Sequence, residues 1–150
     1  MGRTGNYNEE KTMYGNFGAV FIEDSQVNEA TGLQAKCKIN KVEVPMCGTM
    51  SKKYKHVGWD GSGTLTMNKT STRMGLLIAE NMKAGKETVC TIISKMSDPG
   101  NGGTERVRLN GVKFDELTLI DWSAGKLGTE SIPFTFEDFD YLDTIDPSTI

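Results

Sequence analysis

Leu33-Gln34-Ala35-Lys36-Cys37-Lys38-Ile39-Asn40 is the stretch on which the fold class turns. Leu33, Ala35, Cys37 and Ile39 alternate with Gln34, Lys36, Lys38 and Asn40. A period of two over this length is a β-strand with one packed face and one wet face. The phase then slips by one residue: Val42, Val44 and Met46 become the apolar set, with Lys41 and Glu43 polar. A slip inside a continuous strand predicts a β-bulge near Asn40-Lys41. Bulges bend strands, and bent strands suit a barrel or a strongly curved sandwich.

Working outward, residues 1–16 are polar and rich in Gly and Asn, and read as a flexible N-terminal arm. Gly18-Ala19-Val20-Phe21-Ile22-Glu23 is a first strand, and Asp24 to Gly32 is turn-like. Pro45 to Gly61 has no clean period and reads as a long connection, with Gly58-Trp59-Asp60-Gly61-Ser62-Gly63 as a flexible turn. A phosphate-cradling loop would need GxxxxGK[ST] opening a helix, whereas a strand, Ser62 to Met67, follows here. Residues 72–84 are the one good helix. Met74, Leu77, Ile78 and Met82 share a face, a hydroxyl among Thr70, Ser71 and Thr72 can cap the start, and Gly85 closes the end. Strands follow at Glu87 to Met96, at Thr104 to Leu109, and at Val112 to Ile120 after a bulge or turn at Asn110-Gly111, with loops at 97–103 and 123–128. The last strand is 130–136. The expected class is mainly β: an antiparallel β-sandwich or barrel with one flanking α-helix.

The 150 residues carry a net charge of −3, which argues against a dedicated nucleic-acid binder. Cys37, Cys47 and Cys90 are odd in number and lack CxxC spacing, so neither a disulfide framework nor a zinc ribbon is expected. His56 is the single histidine, in a basic stretch and with no nucleophile motif. Asp98-Pro99-Gly100-Asn101-Gly102 lacks the later carboxylates of a calcium loop and reads as a turn. No catalytic residue, metal site or cofactor site is therefore assigned, and the chain is not expected to be an enzyme. Nor is a membrane anchor or a secretory signal: no apolar run reaches the roughly 18–20 residues a bilayer crossing needs, and Met1 to Asn6 contains no apolar core.

Pro133-Phe134-Thr135-Phe136-Glu137-Asp138-Phe139-Asp140 alternates like a half-buried strand and then breaks into acid. Phe134, Phe136 and Phe139 read as core anchors. From Gly128 to Ile150 the charged residues are all acidic, whereas Lys52, Lys53 and Lys55 cluster in the long connection. Two readings stand: two solvated patches, or opposite-sign surfaces that favour head-to-tail self-association. On the second reading the subunit-interface candidates are Lys52, Lys53, Lys55, His56, Trp59, Glu137, Asp138, Asp140 and Asp143.

Gly103-Thr104-Glu105-Arg106-Val107, a strand through Phe114, and the Pro133 to Asp140 stretch together resemble the PBSX-type phage core tail protein. That family supplies the tail tube of contractile phage tails and of phage-tail-like R-type bacteriocins. The likeness runs from about Phe17 to Asp143, through the Gly-Ala-Val-Phe-Ile first strand and Gly61-Ser62-Gly63-Thr64. The β domain is accordingly expected over 17–143, the span of the resemblance, with a C-terminal tail at 144–150. It implies a structural subunit made in the bacterial cytoplasm, often from a prophage, and assembled into a virion or phage-tail-like particle. It also implies homo-hexameric rings that stack into a hollow conduit inside a tail sheath, with baseplate and tail terminator proteins as partners. DNA would pass through the lumen only in a true phage. The alternatives are a type VI secretion-like tube protein and a monomeric small β-barrel that holds an apolar ligand.

Overall fold

Two long strands dominate the computed structural model, which describes residues 8–146. They are β3, Ala30–Val44, and β4, Lys53–Asn68. Around them lie β1 Gly18–Ile22, β2 Ser25–Gln26, β5 Val89–Met96, β6 Glu105–Phe114, β7 Thr129–Phe136 and β8 Asp138–Asp143, with helix α1 Arg73–Lys83 between β4 and β5. All pairings are antiparallel, in the order β2-β1-β5-β6-β7-β4-β3, with β8 added on β6. This is the expected class, drawn as one curled sheet with a single helix. The sheet curls until Ala19 and Val20 of β1 share a cleft with Leu33 of β3.

Local chemistry explains the joints. Glu23 and Asp24 both have positive φ, 50° and 66°, between the paired residues Ile22 and Ser25. That is the type I′ geometry whose twist matches a two-residue hairpin. Helix α1 ends in a Schellman motif: Lys86 N–H donates to Asn81 O at 2.7 Å and Gly85 N–H to Met82 O at 3.2 Å, with Gly85 at φ +73°. β7 and β8 form one bent strand along β6. Phe134 faces Phe114 before the bend and Phe139 faces Leu109 after it. At the corner, Glu137 N–H donates to Asn110 O at 3.0 Å, opposite the left-handed Gly111. The bulge expected at Asn110-Gly111 is therefore the device that turns this corner.

The core lies on one face of the sheet, under α1. Val20, Ile22, Leu65, Met67, Cys90, Ile92, Leu109, Val112, Ile132, Phe134 and Phe136 meet Met74 and Ile78 of the helix. Leu65 sits between Leu33 and Ile132 on the neighbouring strands. The helix buries Met74 and Ile78 and leaves Leu76 and Met82 outside. Phe134 and Phe136 are buried and Phe139 packs against them, the anchoring role expected of all three.

Several expectations are corrected. The connection after Val44 covers residues 45–52, not 45–61, because Lys53 to Gly61 pair with β3. The glycine-rich run 58–63 is mid-strand, not a flexible turn. The register does shift at Asn40/Lys41, but the extra residue is Val57 on β4, so β3 itself does not slip. The strand expected to reach Ile120 stops at Phe114. Beyond Phe136 the chain does not simply leave for solvent but continues as β8. Residues 144–146 are outside any strand, and 147–150 lie outside the described residues.

The expected N-terminal arm divides. Residues 1–7 lie outside the described residues, while Asn8 to Phe17 form two short 3-10 turns held against the 98–101 loop. Tyr14 N–H donates to Asp98 Oδ2 at 2.8 Å, and Asn101 Nδ2 donates to Lys11 O at 2.6 Å. Asp98 Oδ1 also accepts from Gly100 N–H at 2.8 Å. Both Asp98 and Asn101 are buried, so the Asp-Pro-Gly-Asn turn works as a clamp on the chain's start.

Candidate assembly surfaces

From Gly61 to Asn68, β4 has β3 on one side and β7 on the other. From Asp60 back to Lys53 it pairs with β3 alone. At about 3.3 Å per residue this two-stranded ribbon projects roughly 25 Å. It is apolar to a degree that water does not favour: Ile39, Val42, Val44, Met46, Met50, Tyr54, Val57 and Trp59 are all exposed. The register sorts its two sides. Val42 faces Lys55 and Val44 faces Lys53, on the side that carries Lys36 and Lys38. Ile39 faces Trp59 and Glu43 faces Tyr54 on the other, where Lys41 Nζ lies 5.6 Å from the Tyr54 ring centre. The shift in apolar phase along β3 thus records a change of the apolar face. Near the core the inner side is apolar, and on the ribbon the outer side joins it.

The ribbon is also basic. Residues 34–60 hold six lysines against Glu43 and Asp60, a formal +4, so with −3 overall the rest of the chain carries −7. Among the described residues no ion pair involves Lys36, Lys38, Lys52, Lys53 or Lys55. Asp60 accepts from Asn40 Nδ2 at 3.1 Å. Lys52, Lys53, Lys55 and His56 therefore stand together at the outer half of the ribbon. Trp59, at its base, packs on the rings of Phe136 and Phe139, so it is both an exposed face and a link to the core.

The acidic candidates sit elsewhere, along the edge where β8 meets β6. Asp140 accepts from Arg108 Nη2 at 2.9 Å and from Asn110 Nδ2 at 3.1 Å, and Asp143 accepts from Arg106 Nε at 2.6 Å. The Arg108 and Asn110 donors hold the Asp140 carboxyl below the usual range. Glu137 lies 3.8 Å from Lys113, which also meets Glu87 at 3.1 Å. Asp138 is exposed. Two of the four acidic candidates thus have arginine partners within their own chain, and the basic and acidic sets do not form one site.

One exposed surface escaped the sequence reading. Between β6 and β7, Leu119, Ile120, Trp122 and Leu127 stand in solvent. Thr118-Leu119-Ile120 looks like a strand continuation, and only the Gly125 and Gly128 turn signals hinted otherwise. No group of three or more His, Cys, Asp or Glu that could hold a metal occurs among the described residues. The interior is filled by Phe134, Leu65, Met67, Ile92 and Val112, which leaves the core to side chains and the surfaces for binding.

A family model described as phage tail tube protein matches residues 5–143. The chain belongs to that family. Among relatives, the phage-like element PBSX protein XkdM of Bacillus subtilis (strain 168) is 33% identical over 134 residues, which cover 87% of this chain and 90% of that protein. In fold, this tail tube family member is similar to the tube terminating cap of the anti-feeding prophage, with a TM-score of 0.68 at 12% identity, covering 96% and 97% of the two chains. It is equally similar to a chain of the PVC sheath–tube complex of an extracellular contractile injection system, with a TM-score of 0.68 at 9% identity, covering 90% and 94%.

Proposed function

We propose that this chain is the structural, non-enzymatic subunit of the inner tube of a contractile phage tail or phage-tail-like particle. It is made in a bacterial cytoplasm, closes into hexameric rings, and the rings stack into a hollow conduit inside a sheath, between baseplate and terminator. The observation that carries this reading is the β3–β4 ribbon: a projecting, basic, two-stranded arm with eight exposed apolar side chains in a family of tail tube proteins. Such an arm gains by burial against another copy, since apolar area returns about 25 cal/mol per Å² removed from water. Lys52, Lys53 and Lys55 then meet acidic groups of a neighbouring ring, with the exposed Asp138 on the body as one candidate.

Electron microscopy of the purified chain tests it: rings or stacked tubes are expected. Reversing Lys52, Lys53 and Lys55 to Glu should abolish stacking. Each exposed pair is worth only about 0–1 kcal/mol, so sixfold repetition is what makes the effect visible. A monomer carrying an apolar ligand on native mass spectrometry would instead favour a small-molecule carrier.

A further inference from the structure

The loop between β6 and β7 is a second unpartnered apolar surface, and its place in the fold says what covers it. Leu119, Ile120, Trp122 and Leu127 are 76%, 80%, 80% and 92% exposed. Leu119, Ile120 and Trp122 line one cleft, and exposed apolar patches of this kind mark contact sites. The loop is also anchored. Asp115 N–H donates to Pro133 O at 2.9 Å where it leaves the sheet, and Lys69 N–H donates to Gly128 O at 2.8 Å where it returns. Between these anchors Leu119, Ile120 and Trp122 wall a cleft of about 350 Å³ against Lys69 and Gly128.

We infer that this loop is the seat for the ribbon tip of a second copy in the next ring, an inference that rests on the tube reading. The first ground is position. Lys53 opens β4 at the ribbon tip, and Asn68 closes it opposite Thr129, beside the loop's return. The strand is sixteen residues long, so its two ends stand up to about 50 Å apart. Two apolar surfaces at opposite ends of one strand do not cover each other within a chain. Copies stacked along that strand bring the tip of one to the loop of the next, a heterologous contact that propagates.

The second ground is chemistry. The tip offers Met46 and the fully exposed Met50, flexible side chains that fill irregular clefts. Around them stand Lys52, Lys53 and Lys55, without ion pairs among the described residues. The loop segment carries Asp115, Glu116 and Asp121 against Lys126, and nearby Lys69 is already paired with Glu130. Basic and apolar therefore meets acidic and apolar.

Cross-linking tests the contact. With Cys37 and Cys47 replaced by Ser, a chain carrying Met50→Cys and Ile120→Cys is assembled and treated with a short bismaleimide. A ladder of trimers and higher species on a denaturing gel is expected. Cross-linking that stops at the dimer shows a closed two-fold pair and overturns the inference, as does no cross-link in assembled tubes. Trp122→Ser supplies a second readout. Its melting temperature should stay within about 2 °C of the parent, because the side chain is exposed. Assembled tube mass should fall about tenfold. Tubes of unchanged length in that variant sink the seat and leave the tube reading intact, whereas an unaltered chain that never forms rings or tubes sinks both.

Discussion

The Phe134 ring lies directly over Gly63, so close that a Cβ on that glycine would stand 2.6 Å from the ring. The same Cβ would be 2.2 Å from the backbone oxygen of Gln34 on β3. Gly61 stands in the same relation to Phe136, at 2.5 Å. Strand glycines cost backbone entropy and are kept where another group must approach closely. Here they let two phenyl rings of β7 lie flat across β4 and fill the core with aromatic surface.

Gly63→Ala should therefore destabilise the fold by about 3 kcal/mol or more, an overpacking cost against a backbone atom that has nowhere to go. Gly75, in the first turns of α1, has nothing within 4 Å of its Cβ position. Gly75→Ala should raise stability by about 0.5 kcal/mol through helix propensity. Urea unfolding of both variants checks the pair. Equal effects at the two sites would show that propensity, not the ring over Gly63, sets the cost.

Asp140 gives the fold an acid-sensitive edge. Its carboxyl is held low by the Arg108 and Asn110 donors, so the stability it contributes is complete above the ordinary carboxylate value near 3.9 and is lost as pH falls through the lower folded value. The gap in urea midpoint between the parent and Asp140→Asn should be full at pH 6–7 and close below about pH 4. A gap that stays constant across that range would mean the carboxylate charge plays no part in holding β8 on β6.

How much of this was written in the chain depends on what each segment packs against. The alternation from Leu33 to Ile39 was legible as a strand, but only Leu33 leans on Leu65 and the core, while Ala35, Cys37 and Ile39 are exposed, so the expected packed face is confined to the base of β3. Lys53-Tyr54-Lys55-His56 also pairs with β3, but neither of its faces is buried and the unpaired Val57 breaks the period before Gly58, so no clean alternation marks it as strand. β8 was hidden for a different reason. Asp138, Asp140 and Asp143 looked like an exit into water, but two of them meet arginines of β6 more than thirty residues back, a cross-strand match that local pattern does not contain. The site was legible in its charges and illegible in its geometry. The lysines were visible, while their place on a projecting ribbon, and the Trp122 loop at the other end of β4, followed only from pairing.

The clamp on the N-terminal segment should open without unfolding the sheet. Asp98→Ala removes the acceptor of both Tyr14 N–H and Gly100 N–H. Losing these two part-buried hydrogen bonds costs about 1 kcal/mol each, and the segment, whose donors can turn to water, responds by detaching. Amides of residues 14–17 should lose hydrogen-exchange protection while those of β5 and β6 keep theirs. Loss of protection across β5 and β6 as well would make the clamp part of the global fold.

The ribbon should behave differently in the free subunit and in the tube. Residues 41–56 hold their hydrogen bonds within two strands, and an isolated two-stranded pair is marginal in water. Residues 61–68 of the same strand have neighbours on both sides and contribute Leu65 and Met67 to the core. In the free subunit, exchange should therefore be fast from Lys41 to His56 and slow from Gly61 to Asn68, with the step near Trp59, which the Phe136 and Phe139 rings hold in place. Assembly should slow the ribbon amides at least about a hundredfold, because burying Ile39, Val42 and Val44 on another copy adds the third layer the ribbon lacks. Amides between 41 and 56 that exchange equally fast before and after tube formation would mean the ribbon is not the stacking arm, whatever the tubes look like.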